Sequence, residues 1–155
     1  MDKSAWGPGP WADEPDKIQW QDKATGLPCL IVRNNAGTLC GYVGVAEGHP
    51  FYGKSNDEVD VDVHGGLTFA APCHEEADPA RHVCHIAGEG EPEHVYWFGF
   101  DCAHAFDLCP AYDRFRSAEY KAAHSGRWRE IYRDVRYVKR QVRQLARQLY
   151  ERRLP

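Results

Sequence analysis

The segment that decides the fold is Leu27–Val45, with the sequence LPCLIVRNNAGTLCGYVGV. Leu27–Val32 is a short apolar run, and Thr38–Val45 is a second run that contains glycine. Between them, Asn34–Gly37 supplies residues that tolerate a positive φ. Two apolar runs joined by such a turn predict a β-hairpin. The hairpin in turn predicts an antiparallel sheet around it.

Two later segments predict further strands of that sheet. Glu58–His64 (EVDVDVH) alternates valine with polar residues, and a period of two places Asp60, Asp62 and His64 on one face. The run continues through Gly65 and Gly66, which indicate a bulge or the close approach of a ligand or another backbone. His94–Cys102 (HVYWFGFDC) is apolar and aromatic, so we expect a central strand there.

The C-terminal part of the chain predicts a long amphipathic helix. We expect helical structure over 112–153, after Pro110. Apolar residues recur at spacings of three and four, which is one stripe of a helix: Ile131, Val135, Val138, Val142, Leu145 and Leu149. The opposite face is basic and carries Arg129, Arg133, Arg136, Lys139, Arg140, Arg143 and Arg147. The stripe either lies across the sheet or pairs with a second copy as a coiled coil in a homodimer.

These elements together predict one α+β domain, an antiparallel, strongly twisted sheet with the long amphipathic C-terminal helix packed on it. A chain of 155 residues has the usual size of a single domain. We expect the domain over 17–155, with its β-rich part over 17–104. Residues 1–16 (MDKSAWGPGPWADEPD) are rich in proline and glycine and predict an extended arm. Trp6 and Trp11 would anchor that arm on the body or on a partner.

Charge is divided unevenly along the chain. Residues 1–126 carry 9 Lys and Arg against 20 Asp and Glu, whereas residues 127–155 carry 10 against 3. The basic tail would either pack on its own acidic body or meet an acidic partner. Nucleic acid is the less favoured partner, because the body is net negative.

The chain shows no apolar run of membrane-spanning length and no signal-peptide pattern. We therefore expect no membrane contact and a cytoplasmic location. In a reducing compartment the six cysteines would be free thiols or metal ligands, namely Cys29, Cys40, Cys73, Cys84, Cys102 and Cys109. Phosphate-loop, dinucleotide-binding, zinc-protease and serine-hydrolase motifs are all missing from the sequence.

The first candidate site combines Asp62 and His64 with Asp101 and His104. If the two strands are neighbours, these carboxylates and imidazoles converge near the glycine pair. Such a set suits a divalent metal, zinc or manganese, that activates water for hydrolysis. Solvated carboxylates beside a hydrogen-bonded histidine are the structural alternative.

A second candidate is the polar segment around Cys73, Cys84 and His85. Together with His74 and His82, these residues could bind a structural zinc in a loop that lacks its own core. The spacing matches no common zinc pattern. A Cys73–Cys84 disulfide is geometrically possible but is opposed by a reducing compartment, and a mobile loop is the remaining alternative.

A third candidate makes Cys102 a nucleophile. His104 or His64 would lower the pKa of its thiol. Strand alternation places Cys102 and His104 on one side only if the strand continues to residue 104. The alternative is an ordinary buried cysteine.

Several motifs of the chain together resemble small accessory proteins of tailed bacteriophages and prophages. They are PCLIVR (28–33), CGYVGV (40–45), GHP (48–50), HGGLTFA (64–70) and FGFDCAH (98–104), and the resemblance covers most of residues 12–150. It implies a phage accessory protein acting in a bacterial host cytoplasm. It brings no activity, substrate or catalytic residue to this chain.

The leading functional hypothesis is a metal-dependent hydrolase of a nucleotide or another phosphate-containing substrate. Glu58, Asp60 or His49 would act as acid or base, and the basic helix would attract the anion. The rival hypothesis is a non-catalytic phage protein that binds and inhibits a host defence or regulatory protein. Its interface would be the acidic body, the aromatic arm and the apolar stripe.

Overall fold

The computed structural model describes residues 1–153 and contains one five-stranded antiparallel sheet. The order of the strands is β1-β2-β3-β5-β4. Their bounds are Lys17–Gln21 (β1), Pro28–Arg33 (β2), Leu39–Ala46 (β3), Phe69–Ala71 (β4) and Val95–Phe100 (β5). The predicted α+β class is confirmed, with a C-terminal helix packed on an antiparallel sheet.

The predicted hairpin forms β2 and β3. The two strands pair from Cys29 opposite Val43 to Arg33 opposite Leu39, and Gly37 takes a φ of 82° in the turn between them. Every residue of β2 is buried, because one face packs on the helix layer and the other lies under the polar loop after β4. β5 lies between β3 and β4, as expected for the central aromatic strand.

The segment Glu58–His64 is not a strand, which corrects the prediction. Val59 and Val63 are buried in the core as the alternation requires, but the segment has no neighbouring strand. It runs along the C-terminal helix, whose glutamine side chains bind its backbone. The amide of Asp62 donates to Gln148 and that of His64 to Gln141, at 2.7 and 2.9 Å. We call residues 59–64 the strap.

The C-terminal helix, α3, spans Val135–Glu151 and covers the sheet. Val138, Val142, Leu145 and Leu149 are fully buried against β2 and β3. A Cβ at Gly41 of β3 would lie 2.5 Å from Val142 Cγ2, so only glycine allows this close approach. Because its own sheet covers the apolar stripe, the stripe is not free for a coiled coil with a second copy.

The helical region is shorter and more interrupted than predicted. Two short helices, α1 (Pro110–Asp113) and α2 (Ala118–Ala123), precede α3, and the chain between Arg129 and Asp134 is not helical. Ile131 forms an isolated bridge with Asp107 instead of belonging to α3, and it is exposed. The apolar spacing in the sequence therefore predicted about one turn too many at the N-terminal end of the helix, because α3 begins only after its N-cap, Asp134.

The N-terminal arm packs on the body of the same chain. Trp11 is buried and meets Tyr132 edge-to-face at 5.0 Å. Glu14 and Asp16 both bind the fully buried guanidinium of Arg33. Glu14 also accepts a hydrogen bond from the amide of Val135, the first residue of α3. The arm therefore joins the sheet to the start of the helix.

The cysteines divide into one disulfide and four buried thiols. Cys73 and Cys84 form a disulfide, and the free cysteines are Cys29, Cys40, Cys102 and Cys109. The prediction that all six are reduced or metal-bound is wrong for this pair. The backbone bridge between His74 and Val83 holds the neighbouring residues Cys73 and Cys84 together. Their Cα atoms are 4.8 Å apart, a separation that a disulfide can span.

Over residues 1–153, the structure has no helix with both the length and the apolar character needed to cross a membrane.

Candidate acid–base site

Three of the four residues predicted for the first site lie together at one end of the sheet. The imidazole centroids of His64 and His104 are 5.7 Å apart. Asp101 Oδ1 lies 3.4 Å from His104 Nε2. These residues follow the strap and β5, as the sequence predicted, although the strap is not a neighbouring strand.

Asp62 does not join this cluster, which corrects the predicted four-residue set. Its carboxylate accepts a hydrogen bond from Gln144 of α3 at 3.2 Å. It lines a separate groove of about 610 Å³ with Arg140, Arg143 and Arg147. No group of three or more metal-binding side chains assembles among residues 1–153.

A residue that sequence reasoning missed, Asp107, organises the cluster. Its carboxylate is fully buried, and Oδ2 lies 2.7 Å from His64 Nε2 and accepts the backbone amide of His104 at 3.1 Å. The other oxygen, Oδ1, accepts from Arg133 Nε at 2.8 Å. Three donors on one buried carboxylate satisfy most of its hydrogen-bonding capacity. Asp107 therefore fixes both histidines and one arginine.

Tyr137 completes a hydrogen-bonded chain through His64. Its hydroxyl lies 2.8 Å from His64 Nδ1, on the opposite edge of the ring from Asp107. An ionised carboxylate only accepts hydrogen bonds, so in the neutral form of His64 the proton lies on Nε2 and Nδ1 accepts the phenolic hydrogen bond. We call Asp107, His64 and Tyr137 the relay.

The environment keeps the Tyr137 phenol protonated. Burial raises the pKa of Tyr137, and the opposing charge of Arg133 does not cancel that effect. The guanidinium carbons of Arg133 and Arg140 lie 4.9 and 5.4 Å from the centre of the ring. Tyr137 is thus a neutral hydrogen-bond donor placed among cations.

The relay ends in an open groove on the surface. The groove has a volume of about 290 Å³ and is lined by Ile131, Tyr132, Arg133, Asp134, Arg136, Tyr137 and Arg140. We call it the arginine groove. Its three guanidinium groups make it suitable for a phosphate or another anion.

His104 is held tightly on one edge and open on the other. Its Nε2 is buried without a hydrogen bond, although Asp101 is near, while a third of the side chain is exposed. A Cβ on Gly65 would collide with this ring. At the predicted glycine pair it is therefore the His104 side chain, and not another backbone, that closely approaches Gly65, whose φ is 67°.

The other predicted acids and bases have structural roles elsewhere. His49 binds the carbonyl of Leu149 at 2.9 Å and the amide of Phe51 at 3.1 Å, which occupies both ring nitrogens. Glu58 accepts from Ser55 in a capping box, and Asp60 is exposed on the strap. None of these three residues contributes a hydrogen bond or ion pair to the cluster in the described part of the chain.

Cys102 is part of the buried core. Only 1% of the residue is exposed. Burial raises the pKa of its thiol, and the charge of Asp107 raises it further. The prediction that a histidine would lower this pKa is wrong, because the desolvation of a buried thiolate dominates.

The predicted zinc site around residues 73–85 does not assemble. Cys73 and Cys84 are joined to each other, so neither offers a thiolate. His85 packs on Trp97 at 5.3 Å and binds the carbonyl of Pro92 at 3.0 Å. The Cys73–Cys84 disulfide joins the two ends of this segment.

A scan against protein-family models, a search of curated proteins and a search of solved structures each found no match. The predicted resemblance to phage accessory proteins is not tested by these comparisons and stays a prediction.

Proposed function

We propose that the protein is a hydrolase of a phosphate-containing substrate that works by acid–base catalysis at the relay. The observation that carries the proposal is the chain from the buried carboxylate of Asp107 through His64 to Tyr137, which ends in the arginine groove. A buried carboxylate that orients a histidine, which in turn contacts a third group at an open groove, is a common arrangement for moving protons in catalysis.

In this mechanism the phosphate binds between Arg133, Arg136 and Arg140. A water molecule beside the Tyr137 oxygen gives a proton to that oxygen as the phenolic proton moves to His64 Nδ1. Asp107 stabilises the imidazolium that forms. The water oxygen attacks phosphorus and the bond to the leaving oxygen breaks. His104, which enters this step as an imidazolium, gives its proton to the leaving oxygen and then regains one from the His64 imidazolium, whose ring centroid lies 5.7 Å away.

The same assay tests whether hydrolysis needs a divalent metal. His64 already uses both ring nitrogens, so a zinc or manganese ion bound there would have to displace Tyr137 or Asp107. The relay mechanism therefore predicts activity in the presence of a chelator. A metal-dependent mechanism would require added zinc or manganese.

The test is the release of p-nitrophenol from p-nitrophenyl phosphate and its diester, with a chelator and with added metal. We expect His64→Gln and Tyr137→Phe to lower the rate by about 100-fold or more. Asp62→Asn is the matched control, because Asp62 shares the strap with His64 but lies outside the relay. It should keep the wild-type rate.

His104→Gln provides an internal check on the roles. p-Nitrophenolate leaves without protonation, so this variant should keep most of its activity on the nitrophenyl esters and lose it on alkyl phosphates. The proposal fails if no ester is hydrolysed above background, or if His64→Gln retains the wild-type rate.

The second candidate, a non-catalytic protein that binds and inhibits a host protein, is favoured by exposed apolar side chains near residues 106–131. Phe115 is 74% exposed, and Tyr112 is also exposed. Such a binder would need this surface and would not need the relay. Inhibition of a purified target that persists in His64→Gln and is lost in Phe115→Ala would support it.

A further inference from the structure

An exposed pair of aromatic rings lies beside the candidate site. Phe106 and Trp128 are 48% and 52% exposed, and their rings are nearly parallel, with centroids 6.1 Å apart. Both side chains are large and apolar, and neither belongs to the core. We call this pair the platform.

The backbone at Phe106 adopts a conformation that phenylalanine disfavours. Its φ is 70°, and among residues 1–153 it is the single non-glycine residue with a positive φ. A bulky residue loses free energy in this region, whereas asparagine or glycine would adopt it easily. Folding alone therefore favours another residue here, and strained positions of this kind cluster at ligand sites.

Two backbone hydrogen bonds hold the Phe106 loop beside Ile131, which lines the arginine groove. The amide of Ile131 donates to the carbonyl of Phe106 at 2.8 Å, and the amide of Leu108 donates to the carbonyl of Ile131 at 2.9 Å. Ile131 lines the groove together with Tyr137 and Arg140. Asp107 of the relay lies between Phe106 and Leu108. The same short bridge thus positions the platform and the relay.

Charge around the platform favours an anion that carries an aromatic ring. Arg127 lies over the Trp128 ring at 4.8 Å, and the groove supplies Arg133, Arg136 and Arg140. A ligand with a flat aromatic ring and a phosphate fits the platform and the arginine groove together, because aromatic side chains stack on bases and guanidinium groups bind phosphate.

The size of the groove points to a single nucleotide unit. A volume of about 290 Å³ is at the lower end for small-molecule sites, which begin at about 300 Å³. We propose that Phe106 and Trp128 stack on the base of a nucleotide whose phosphate lies in the arginine groove. This inference rests on the proposed function and names its substrate class. The nucleotide is either free or the end of a single strand.

The test compares the binding of AMP and ribose 5-phosphate by calorimetry in His64→Gln, where turnover does not interfere. Stacking should make AMP bind about tenfold more tightly. Phe106→Asn should abolish this difference and raise the melting temperature, because asparagine accepts the positive φ. The matched control is Phe115→Ala. Phe115 is exposed under Arg114 but belongs to neither the platform nor the groove, so this variant should keep the preference for AMP.

A four-residue oligoadenylate separates the two sources of the nucleotide. Tighter binding of the oligonucleotide than of AMP would identify a strand end, and the reverse order would identify a free nucleotide. Equal affinities for AMP and ribose 5-phosphate would overturn the inference, as would loss of the preference in Phe115→Ala. Self-association of the wild type that Phe106→Asn abolishes would also overturn it, in favour of a protein interface. Binding is measured without hydrolysis, so this failure is distinct from a failure of the proposed function.

Discussion

Asp107 is the single residue whose loss should disturb the candidate site most. Its buried carboxylate accepts hydrogen bonds from Arg133, His64 and the amide of His104. Asn at this position would place an NH₂ group against at least one donor and leave a buried partner without its acceptor.

We expect Asp107→Asn to lose about 3 kcal/mol of unfolding free energy and most of any hydrolytic activity. Urea denaturation and the nitrophenyl assay would measure both effects. Asp101→Asn is the control, because Asp101 is partly exposed and its Oδ1 acceptor for the Ala103 amide is retained. It should change stability by less than about 1 kcal/mol. Equal losses in the two variants would contradict the central position of Asp107.

At this scale the sequence predicted the histidines but not their partners. His64, Asp101 and His104 could be found because they follow apolar segments that meet in the fold. Asp107 is one carboxylate in an irregular loop, and Tyr137 is a tyrosine among arginines on a polar helix face. Nothing in the sequence around either residue distinguishes it from an ordinary solvent-exposed residue. The bridge between Asp107 and Ile131 and the contact of Asp107 with Arg133 bring the loop to the segment just before α3.

At the scale of elements, α3 has two faces with opposite sensitivity to mutation. Leu145 is fully buried against the sheet, and Arg143 is exposed on the other side. We expect Leu145→Asp to unfold the protein, because an unpaired buried charge costs several kcal/mol.

Arg143→Glu should stay within about 0.5 kcal/mol of the wild type. Thermal denaturation of the two variants gives the comparison. Similar shifts in melting temperature for both would mean that the helix does not lie on the sheet with this face.

The strap shows why one element was predicted wrongly. The alternation of valine with polar residues shows that one side of the segment is buried. It does not show whether a strand or a helix covers that side. Here the helix provides the cover, and glutamine side chains bind the backbone that a strand would have paired. The sequence contains those glutamines but gives no sign that they face a backbone.

At the scale of the whole molecule, the basic helix and the acidic body are only partly neutralised by each other. Arg133 binds Asp107, whereas Arg136, Arg140 and Arg143 form no ion pair within the described residues. The interpretation that the tail packs on its own body is correct for its apolar face. Most of its cations nevertheless point toward solvent, where an anionic ligand can reach them.

The ion pairs of Asp16 in the N-terminal arm make the free energy of unfolding depend on pH. Burial alone would raise the pKa of Asp16, but hydrogen bonds from Lys3, the amino terminus and Arg33 outweigh it and lower the pKa to about 2. In the unfolded chain the pKa of an aspartate is about 3.9. The stabilisation is therefore complete above that value and is lost as the pH falls toward 2.

We expect Asp16→Asn to lose about 2 kcal/mol of unfolding free energy at neutral pH. The difference from the wild type should shrink below about pH 4 and vanish as the pH falls through about 2, because the aspartate then becomes neutral like the asparagine. Denaturant titrations at several pH values measure this. Asp13→Asn is the control, since Asp13 is exposed and outside the ion pairs with Arg33. A constant offset across the whole pH range would contradict the assignment.

The glutamine contacts of the strap also bear on how the site can move. Gln141 binds the backbone of His64, and Tyr137, one turn earlier on α3, binds its ring. One rigid helix thus holds His64 at two points. His64 and Tyr137 must travel together as one body, because separating them requires both contacts to break. A ligand that reaches the arginine groove therefore meets His64 and Tyr137 in one fixed arrangement relative to each other.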